Sequence, residues 1–582
     1  MTASTLEQDK APPYKLLERL SLPSLLALLF AIALLFQLIA ARRTIGTFDE
    51  CLSLYGADNI LHGGRPYRDF LTPYGPAQFY LLALLFKIFG TSALVGRIYD
   101  ACIRAGIACA SFVLVTLLSH RKYAVLAFAA VILWLACIDD MAYNYSAYPA
   151  ILLSLISCLF FSRYLNDSSR IWSLFVAGGL VGATACFRHD IGFYLFLTQI
   201  AILIWNILSI RRSGILPTHR PALCYVAGVA AIALPVALLL LWSVPSSDIF
   251  FDLFYLPAKV YPPMRRLPFR TFAIPNLLRH PFSWNNRFEL QETIVFFPIL
   301  VCLMSAITLF LSRKPHSGLF NDTRQRQIFG LLTLLGTLFF IKGLVRVSAM
   351  QMIQCVVVGI ILLAVLLSRL SRLDRVPAIL VGSVTAVFLA SSASVILGFF
   401  VFALRNVHDL TDPARPTSFA KTCHPPAGME RARCLIVDPR AEAASEYIEQ
   451  RTSPHDRIFV GGGRHDKILT NDMRLYFLTG RLATTKWQDF EPGVQTTLPI
   501  QNQIIASMQE YSPKVIVLNS AWDNLKEPNS SRFSSGVTTL DDYIHAHYTP
   551  EATFGTISVL TPNSSIQSSL PSPLHAAGSA SK

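Results

Sequence analysis

Long runs of apolar residues recur along the chain, and short polar segments separate them. A helix needs about 20 mostly apolar residues to cross a hydrocarbon core of roughly 30 Å. By this criterion the pattern predicts about eleven membrane-spanning helices and therefore a polytopic α-helical membrane protein. The predicted spans lie near residues 20–41, 94–118, 121–138, 147–165, 171–187, 190–210, 221–244, 293–312, 326–341, 345–367 and 376–403.

A shorter apolar segment, from Pro76 to Phe89, has only about 14 residues and contains Lys87, so it is too short for a full crossing. We interpret it as a helix that lies along the interface or re-enters the membrane. If it does not cross and the N-terminus is cytoplasmic, every inside loop is rich in Lys and Arg, as the positive-inside rule requires. Those loops are 119–122, 162–170, 210–220, 312–326 and 368–375. The exception is the pair Arg42-Arg43, which falls outside and which we interpret as interfacial.

Polar regions flank and interrupt the membrane domain of residues 20–403. Two long outer loops are predicted at 42–93 and 245–292, and residues 1–19 are predicted to be a cytoplasmic segment, not a cleaved signal peptide. After residue 404, the strand-like runs LIVD, RIFVGG, VIVLN and ISVL alternate with amphipathic helical patterns. This alternation predicts a small extracytoplasmic α/β domain over 404–561. The Ser/Pro/Ala-rich tail, 562–582, is predicted to be disordered.

The composition excludes an ordinary soluble enzyme, because 53% of the 582 residues are hydrophobic and only 15% are charged. The formal net charge of +14 does not indicate nucleic-acid binding, since Lys and Arg cluster between apolar runs as topology signals and lipid-headgroup contacts. Most cysteines lie in or beside apolar runs, where they behave as small hydrophobic residues. Only Cys423 and Cys434 lie in a polar region, and in an oxidising compartment they could form a disulfide.

Two pairs of adjacent acids mark the first outer connections. Asp49 and Glu50 follow directly on the first apolar run, where removing a charge from water is most costly. They are either ordinary acids at the start of a solvated loop or functional groups. Asp139 and Asp140 precede an aromatic cluster in the next outer connection, and an N-terminal helix cap explains that pair about as well as a functional role does.

Charged residues also stand between later apolar runs, with almost no loop to hydrate them. In the triplet Arg188-His189-Asp190, Arg188 and Asp190 form either a structural ion pair or a phosphate site in which Asp190 orients Arg188 or His189. Five further cationic residues and one tyrosine suit contacts with phosphate and sugar. They are Lys259, Tyr261, Arg265, Arg266, Lys342 and Arg346. Interfacial anchoring is the alternative explanation for the same residues.

One stretch carries a family resemblance: TIGTFDECLSLYGADNILHGGRPYRDFLTPYGPAQFYLLALLFKIFG, residues 44–90. Its acidic pair, helical segment, G-x-PY-x-D motif and aromatic-aliphatic end resemble the first extracytoplasmic loop of GT-C membrane glycosyltransferases. The resemblance is to the bacterial branch similar to protein O-mannosyltransferases, the aminoarabinose transferase and the lipopolysaccharide sugar transferases of the Rgt type. Here Thr72-Pro73-Tyr74-Gly75-Pro76 replaces the His-Pro-Pro motif of the protein mannosyltransferases, which puts protein O-mannosylation in doubt.

The resemblance implies a GT-C fold and transfer of a sugar, with inversion, from a polyprenyl-phosphate donor to an extracytoplasmic acceptor. It implies that Asp49 is the general base, that Glu50 supports it, and that Asp139 or Asp140 is a second functional acid. It also implies cations that stabilise the departing lipid phosphate. The candidates for that role are Arg188, Lys259, Arg265, Arg266, Lys342 and Arg346, with His189, Asp190 and Tyr261 in support.

No cofactor is expected, because Cys, His and carboxylate ligands at familiar metal-site spacing are absent from the sequence. Carboxylates beside a phosphate can still recruit a loosely held divalent cation. The expected partners are the lipid-linked donor, a glycan, lipid or protein acceptor, and membrane lipids, in a bacterial inner membrane with the C-terminal domain periplasmic. Two alternatives stay open: a flippase or transporter of lipid-linked sugars, and a non-catalytic envelope assembly protein.

Overall fold

The structure is a computed structural model that describes residues 21–137, 143–212, 219–271, 279, 283, 286–313, 318–426 and 428–563. The predicted acids Asp139 and Asp140, the segment 1–19 and nearly all of the predicted tail lie outside the described residues.

A bundle of apolar helices occupies the described residues up to Thr411. Its helices are α1 (Leu22–Ala41), α2 (Asp49–Leu61), α3 (Ala77–Phe89), α4 (Ala93–Thr116), α5 (Arg121–Cys137), α6 (Ala147–Asn166), α7 (Ile171–Phe187), α8 (His189–Arg212), α9 (Arg220–Ser243), α10 (Ser246–Phe250), α11 (Tyr261–Arg265), α12 (Arg287–Glu292), α13 (Phe297–Leu311), α14 (Thr323–Gly343), α15 (Ile353–Ser368) and α16 (Arg375–Thr411). In the described part of the chain, eight helical segments are long and apolar enough to cross a membrane, and α3, α7 and α15 are shorter apolar helices. Every predicted span coincides with a helix, although the span predicted from residue 345 begins only at Ile353, because turns precede it.

Helix α9 shows how the bundle is packed. Its contact with α7 depends on glycines: a Cβ on Gly178 would lie 2.1 Å from the backbone oxygen of Tyr225, and one on Gly228 would lie 2.1 Å from that of Phe175. The two backbones therefore touch, as is common where transmembrane helices cross at small residues. Most of the remaining surface of α9 is apolar and exposed, which suits a helix that faces lipid.

The first outer loop, 42–93, contains two helices with opposite surroundings. The side chains of α2 are buried from Asp49 to Asn59, whereas α3 exposes Leu84, Ile88 and Phe89 by 52, 61 and 69%. With 13 residues, α3 is too short to span and presents an apolar face outward. The interpretation of Pro76–Phe89 as an interfacial helix agrees with this geometry.

The second predicted outer loop, 245–292, is not a loop in its first half. Helix α10 continues into a π-helix at Phe251–Val260 and then into α11, so the chain is helical from Ser246 to Arg265. Pro257 lies inside the π-helix and lacks the N–H needed for the α-helical ladder, which favours a local change of hydrogen-bond register. The sequence analysis predicted only an outer connection here and not this helical segment, in which apolar and aromatic residues form an amphipathic face.

The C-terminal domain is built on a five-stranded mixed sheet in the order β2-β1-β3-β5-β4. Its elements are α17 (Phe419–Thr422), α18 (Pro439–Arg451), β1 (Arg457–Gly462), α19 (Met473–Thr479), β2 (Leu482–Ala483), α20 (Leu498–Tyr511), β3 (Ile516–Asn519), α21 (Thr539–His547), β4 (Tyr548–Phe554) and β5 (Ile557–Pro562). Strand β1 is parallel to β2 and β3, whereas β5 is antiparallel to β3 and β4. The prediction of a strand in the run LIVD, residues 435–438, was wrong, because Ile436 forms only an isolated bridge with Thr44. A disulfide joins Cys423 to Cys434, the pair singled out in the sequence.

Helix α2 lies between the membrane bundle and the C-terminal domain. On its outer side, Asp58 pairs with Arg431 at 2.6 Å, and the Tyr55 hydroxyl accepts the backbone N–H of Ala483 at 3.1 Å. Nearby, Arg42 is buried and pairs with Asp409 at 2.6 Å, so its side chain contacts protein groups and not only lipid headgroups or water. Polar contacts made by α2 thus join the C-terminal domain to the bundle.

Candidate active site

The centre of the candidate site is Asp49, the first residue of α2. Its side chain is buried, and Oδ1 accepts a hydrogen bond of 2.6 Å from the Tyr74 hydroxyl. Burial raises the pKa of Asp49, while the bond from Tyr74 and the charges of Arg188 and Arg265 lower it again. Burial is the largest effect and Glu491 adds to it, so Asp49 is a buried base whose pKa lies above its ordinary value although one phenol and two guanidinium groups oppose the rise.

Tyr74 is positioned by the turn that contains it. The backbone N–H of Gly75 donates to the Phe187 carbonyl at 3.1 Å, at the end of α7. A Cβ on residue 75 would lie 2.1 Å from the Cys186 carbonyl oxygen, so only glycine permits this approach. The close contact brings Tyr74 next to Arg188, whose guanidinium lies 5.0 Å from the centre of the tyrosine ring.

Arg188 connects α7 and α8 and forms the first cationic group. It makes two hydrogen bonds to Asp190, of 3.0 and 2.7 Å, and a third of 3.0 Å to the Tyr145 hydroxyl. Lys342, near the end of α14, lies 3.7 Å from the same Asp190 carboxylate. Two cations therefore share one carboxylate, and His189 packs its ring against Phe254 at 5.9 Å.

Arg265 at the end of α11 forms the second cationic group. Its Nη2 and Nε lie 2.6 and 2.7 Å from Glu491 of the C-terminal domain, and the Tyr261 hydroxyl donates to the other oxygen of that carboxylate at 2.7 Å. The guanidinium also lies 5.7 Å from the ring of Phe48, the residue before Asp49. Arg265 therefore reaches the surroundings of the base while it is held by the outer domain.

Arg346 extends this second group. Its guanidinium makes hydrogen bonds of 3.0 and 2.6 Å to Glu527, and Nη1 also donates to the Arg265 carbonyl at 2.9 Å. The main chain supports the contact, since the Val347 N–H donates to the Leu267 carbonyl. Two arginines from the bundle are thus paired with two glutamates from the C-terminal domain.

Glu50, the neighbour of Asp49, belongs to a buried ion pair with Arg97. Its carboxylate accepts bonds of 2.7 and 2.8 Å from Arg97 and of 2.8 Å from the Gly46 N–H, and both members of the ion pair are fully buried. The pair anchors the start of α2, and with it Asp49, to α4. This anchor is consistent with the expected support of the orientation of Asp49 by Glu50, which stays a prediction.

The structure sorts the remaining candidates. Lys259 and Arg266 have exposed side chains. Among the described residues, no ion pair joins either one to the carboxylates that hold the other cations, which are those of Asp190, Glu491 and Glu527. Sequence reasoning missed the residues that hold the predicted cations and the base in place. They are Tyr74, Tyr145, Glu491 and Glu527. Tyr74 stands in a conspicuous Pro-Tyr-Gly-Pro turn, but nothing in the sequence connects the two glutamates with helices more than 180 residues away.

No group of three or more His, Cys, Asp or Glu side chains within the described ranges is arranged to hold a metal ion.

Comparisons with known proteins find similarity in structure and none in sequence profiles or curated sequences. No protein-family profile matches the sequence, and no curated protein matches it. The structure is similar to that of ArnT from Cupriavidus metallidurans bound to undecaprenyl phosphate, with a TM-score of 0.54 and 13% identity over 93% of this chain and 98% of that one. The apo form of ArnT gives a TM-score of 0.52 with the same identity and coverage. An oligosaccharyltransferase from Archaeoglobus fulgidus has a TM-score of 0.47 and 13% identity, over 85% of this chain and 69% of that one.

The bundle, the helices of the first outer loop and the C-terminal sheet domain together define a polytopic membrane protein with the GT-C fold. The prediction of this fold class from residues 44–90 is confirmed. ArnT, an aminoarabinose transferase, shares the architecture over nearly its whole length.

Proposed function

We propose that this protein is an integral-membrane glycosyltransferase that passes a sugar, with inversion, from a polyprenyl-phosphate donor to an acceptor outside the membrane. The observation that carries the proposal is the buried Asp49 carboxylate, which lies in one connected cluster with Tyr74, Arg188 and Arg265. Such a transfer needs a base for the acceptor hydroxyl and positive charge for the departing phosphate. The likeness to ArnT, solved with undecaprenyl phosphate, supports the choice of donor.

The charge balance near Asp190 supports an anionic ligand. Arg188 and Lys342 both approach this single carboxylate, so these three described groups carry one net positive charge. A guanidinium has five N–H donors, and Arg188 can keep its bonds to Asp190 while it donates to a phosphate oxygen. We assign the lipid phosphate to this position, with Arg265 and Arg346 contributing from the other side.

In the proposed reaction, the acceptor hydroxyl attacks the anomeric carbon of the donor sugar and transfers its proton to Asp49. The new carbon–oxygen bond forms as the bond from the anomeric carbon to the phosphate oxygen breaks, and the electron pair leaves with the polyprenyl phosphate. Attack from the face opposite the phosphate inverts the anomeric configuration. Tyr74 holds Asp49 in place and stabilises its charged form before the proton arrives.

The proposed setting is a bacterial inner membrane, with the N-terminus in the cytoplasm and the C-terminal domain in the periplasm. The five basic loops of the sequence support this orientation. The proposed acceptors are envelope glycans, lipids or proteins that present a hydroxyl group. Labelling of single cysteines introduced at Asp140 and Gly318 should occur from the periplasmic side at the first position and the cytoplasmic side at the second.

The test uses the full chain, purified in nanodiscs, with a panel of polyprenyl-phosphate sugars and an extract of envelope acceptors. Release of polyprenyl phosphate and labelling of the acceptor are measured together. Wild-type protein should produce both with at least one donor, and Asp49→Asn should lower the rate by about 100-fold or more, as expected when a positioned general base is removed.

Glu510→Gln is the matched control, because Glu510 is an exposed acid on α20 of the C-terminal domain. It should leave the rate unchanged. Turnover of Asp49→Asn equal to that of wild type would reject Asp49 as the base, and acceptor labelling without release of polyprenyl phosphate would reject the proposed donor.

A further inference from the structure

Asp489 is a fully buried carboxyl group beside the cluster, and no sequence motif pointed to it. Neither of its carboxyl oxygens has a hydrogen-bond partner among the described residues. The charges that act on it are those of Glu491, Arg265, Asp49 and Asp252. Asp489 therefore lies within electrostatic range of the proposed base, on the side of the C-terminal domain.

Hydrogen bonds from neighbouring side chains hold the backbone around Asp489 in place. The side-chain amide of Gln495 donates to the Asp489 carbonyl at 2.7 Å and to the Trp487 carbonyl at 3.3 Å. The neighbouring Gln488 makes two hydrogen bonds with the backbone of Leu71, of 3.1 and 3.2 Å. The loop is thus fixed both to its own domain and to the segment that leads into the Tyr74 turn.

A buried carboxyl without a partner is unfavourable for the folded protein, because desolvation is not compensated by hydrogen bonds. Burial raises the pKa of Asp489 well above its ordinary value, Glu491 and Asp49 raise it further, and Arg265 opposes them. In its neutral form the group offers one O–H donor and one carbonyl acceptor. This combination matches a sugar hydroxyl, which also both donates and accepts.

We propose that Asp489 contacts the substrate in this centre, and that its carboxyl group exchanges hydrogen bonds with hydroxyl groups of a sugar ring bound next to Asp49. The inference rests on the proposed function and adds to it a residue that recognises the hydroxyl groups of the sugar ring. The ring belongs either to the lipid-linked donor or to a glycan acceptor, and both present the same hydroxyl chemistry.

The test compares wild type, Asp489→Asn and Asp489→Leu as full chains in nanodiscs. In a first measurement without turnover, thermal stabilisation by polyprenyl-phosphate sugar is compared with that by polyprenyl phosphate alone. In a second, the KM values for donor and acceptor are determined in the transfer assay. Asn keeps a neutral donor and acceptor of the same shape, whereas Leu removes both.

If the ring is that of the donor, Asp489→Leu should lose the extra stabilisation by the sugar and raise the donor KM by about five- to tenfold, the effect of one neutral hydrogen bond. If the ring is that of the acceptor, the acceptor KM should rise by this amount. The donor KM and the extra stabilisation by the lipid-linked sugar should then stay as in wild type. In both cases Asp489→Asn should stay within about twofold of wild type, because it can replace a neutral hydrogen bond.

The unfolding temperature without ligand separates substrate contact from a structural role. Asp489→Leu should unfold at the same temperature as wild type or higher, since it removes an unpartnered buried polar group. A lower unfolding temperature, unchanged KM values in both variants, or a loss in Asp489→Asn as large as in Asp489→Leu would each overturn the inference. A wild-type protein that neither transfers sugar nor distinguishes the two lipids would instead reject the proposed function itself.

Discussion

The buried ion pair between Arg97 and Glu50 offers a sharp test of how the start of α2 is held. Arg97 makes two bonds to Glu50 and also donates to the carbonyls of Arg43 and Thr44 at 2.8 and 2.9 Å, with both charged side chains fully buried. Arg97→Gln leaves the Glu50 carboxylate without its cation in a site that water does not reach. Breaking a buried pair in this way costs about 3–5 kcal/mol.

The assay is unfolding of the purified protein in detergent, followed by tryptophan fluorescence on heating and by the half-life at a fixed temperature. Arg170→Gln is the matched control, because Arg170 pairs with Asp167 at a similar distance of 3.0 Å but both side chains are largely exposed. We expect a clear fall in unfolding temperature for Arg97→Gln and no measurable change for Arg170→Gln. Equal stability of the two variants would refute the view that this pair anchors α2 and, with it, Asp49.

Three further predictions concern the same region and the outer domain. Tyr74→Phe removes a bond that lowers the pKa of Asp49, so the pH at which activity falls on the acid side should move to higher values, as a pH–rate profile will show. Gly75→Ala should reduce both stability and activity, because its Cβ would lie 2.1 Å from a backbone oxygen of α7, whereas Gly382→Ala, with open space around its Cβ, should do neither. Cys423→Ser opens a disulfide that spans 11 residues and should destabilise the protein by about 3 kcal/mol, and a reductant should lower the unfolding temperature of wild type but not of this variant.

The length of the apolar runs was sufficient to predict where the helices of the membrane domain lie. Among the described residues, eight helical segments are long and apolar enough to cross a membrane, fewer than the eleven predicted spans. The hydropathy pattern did not predict the helical segment Ser246–Arg265, where an amphipathic helix has the composition of an aromatic-rich loop. It also missed β4, whose side chains are largely exposed and therefore lack the alternating pattern of a half-buried strand.

The candidate site could be predicted only where the chemistry is local in sequence. Asp49 and Arg188 stand out because charges at the ends of apolar runs are costly, and the structure brings them close to the same tyrosine. The partners of Arg265 and Arg346 come from the C-terminal domain, and no rule of spacing connects residues so far apart. Glu50 and Asp49 are adjacent on a helix and point in different directions, so Glu50 faces α4 and Asp49 faces the cluster.

The two glutamates that bridge the domains have a consequence for engineering. Glu491 and Glu527 belong to the C-terminal domain, yet they hold arginines that belong to the membrane bundle. A chimera that combines this bundle with the outer domain of another GT-C protein would leave both guanidinium groups without counter-charges unless acids are supplied at matching places. The two halves of the molecule are therefore not interchangeable modules, and recombination between related proteins should succeed only when these acids and their arginines are inherited together.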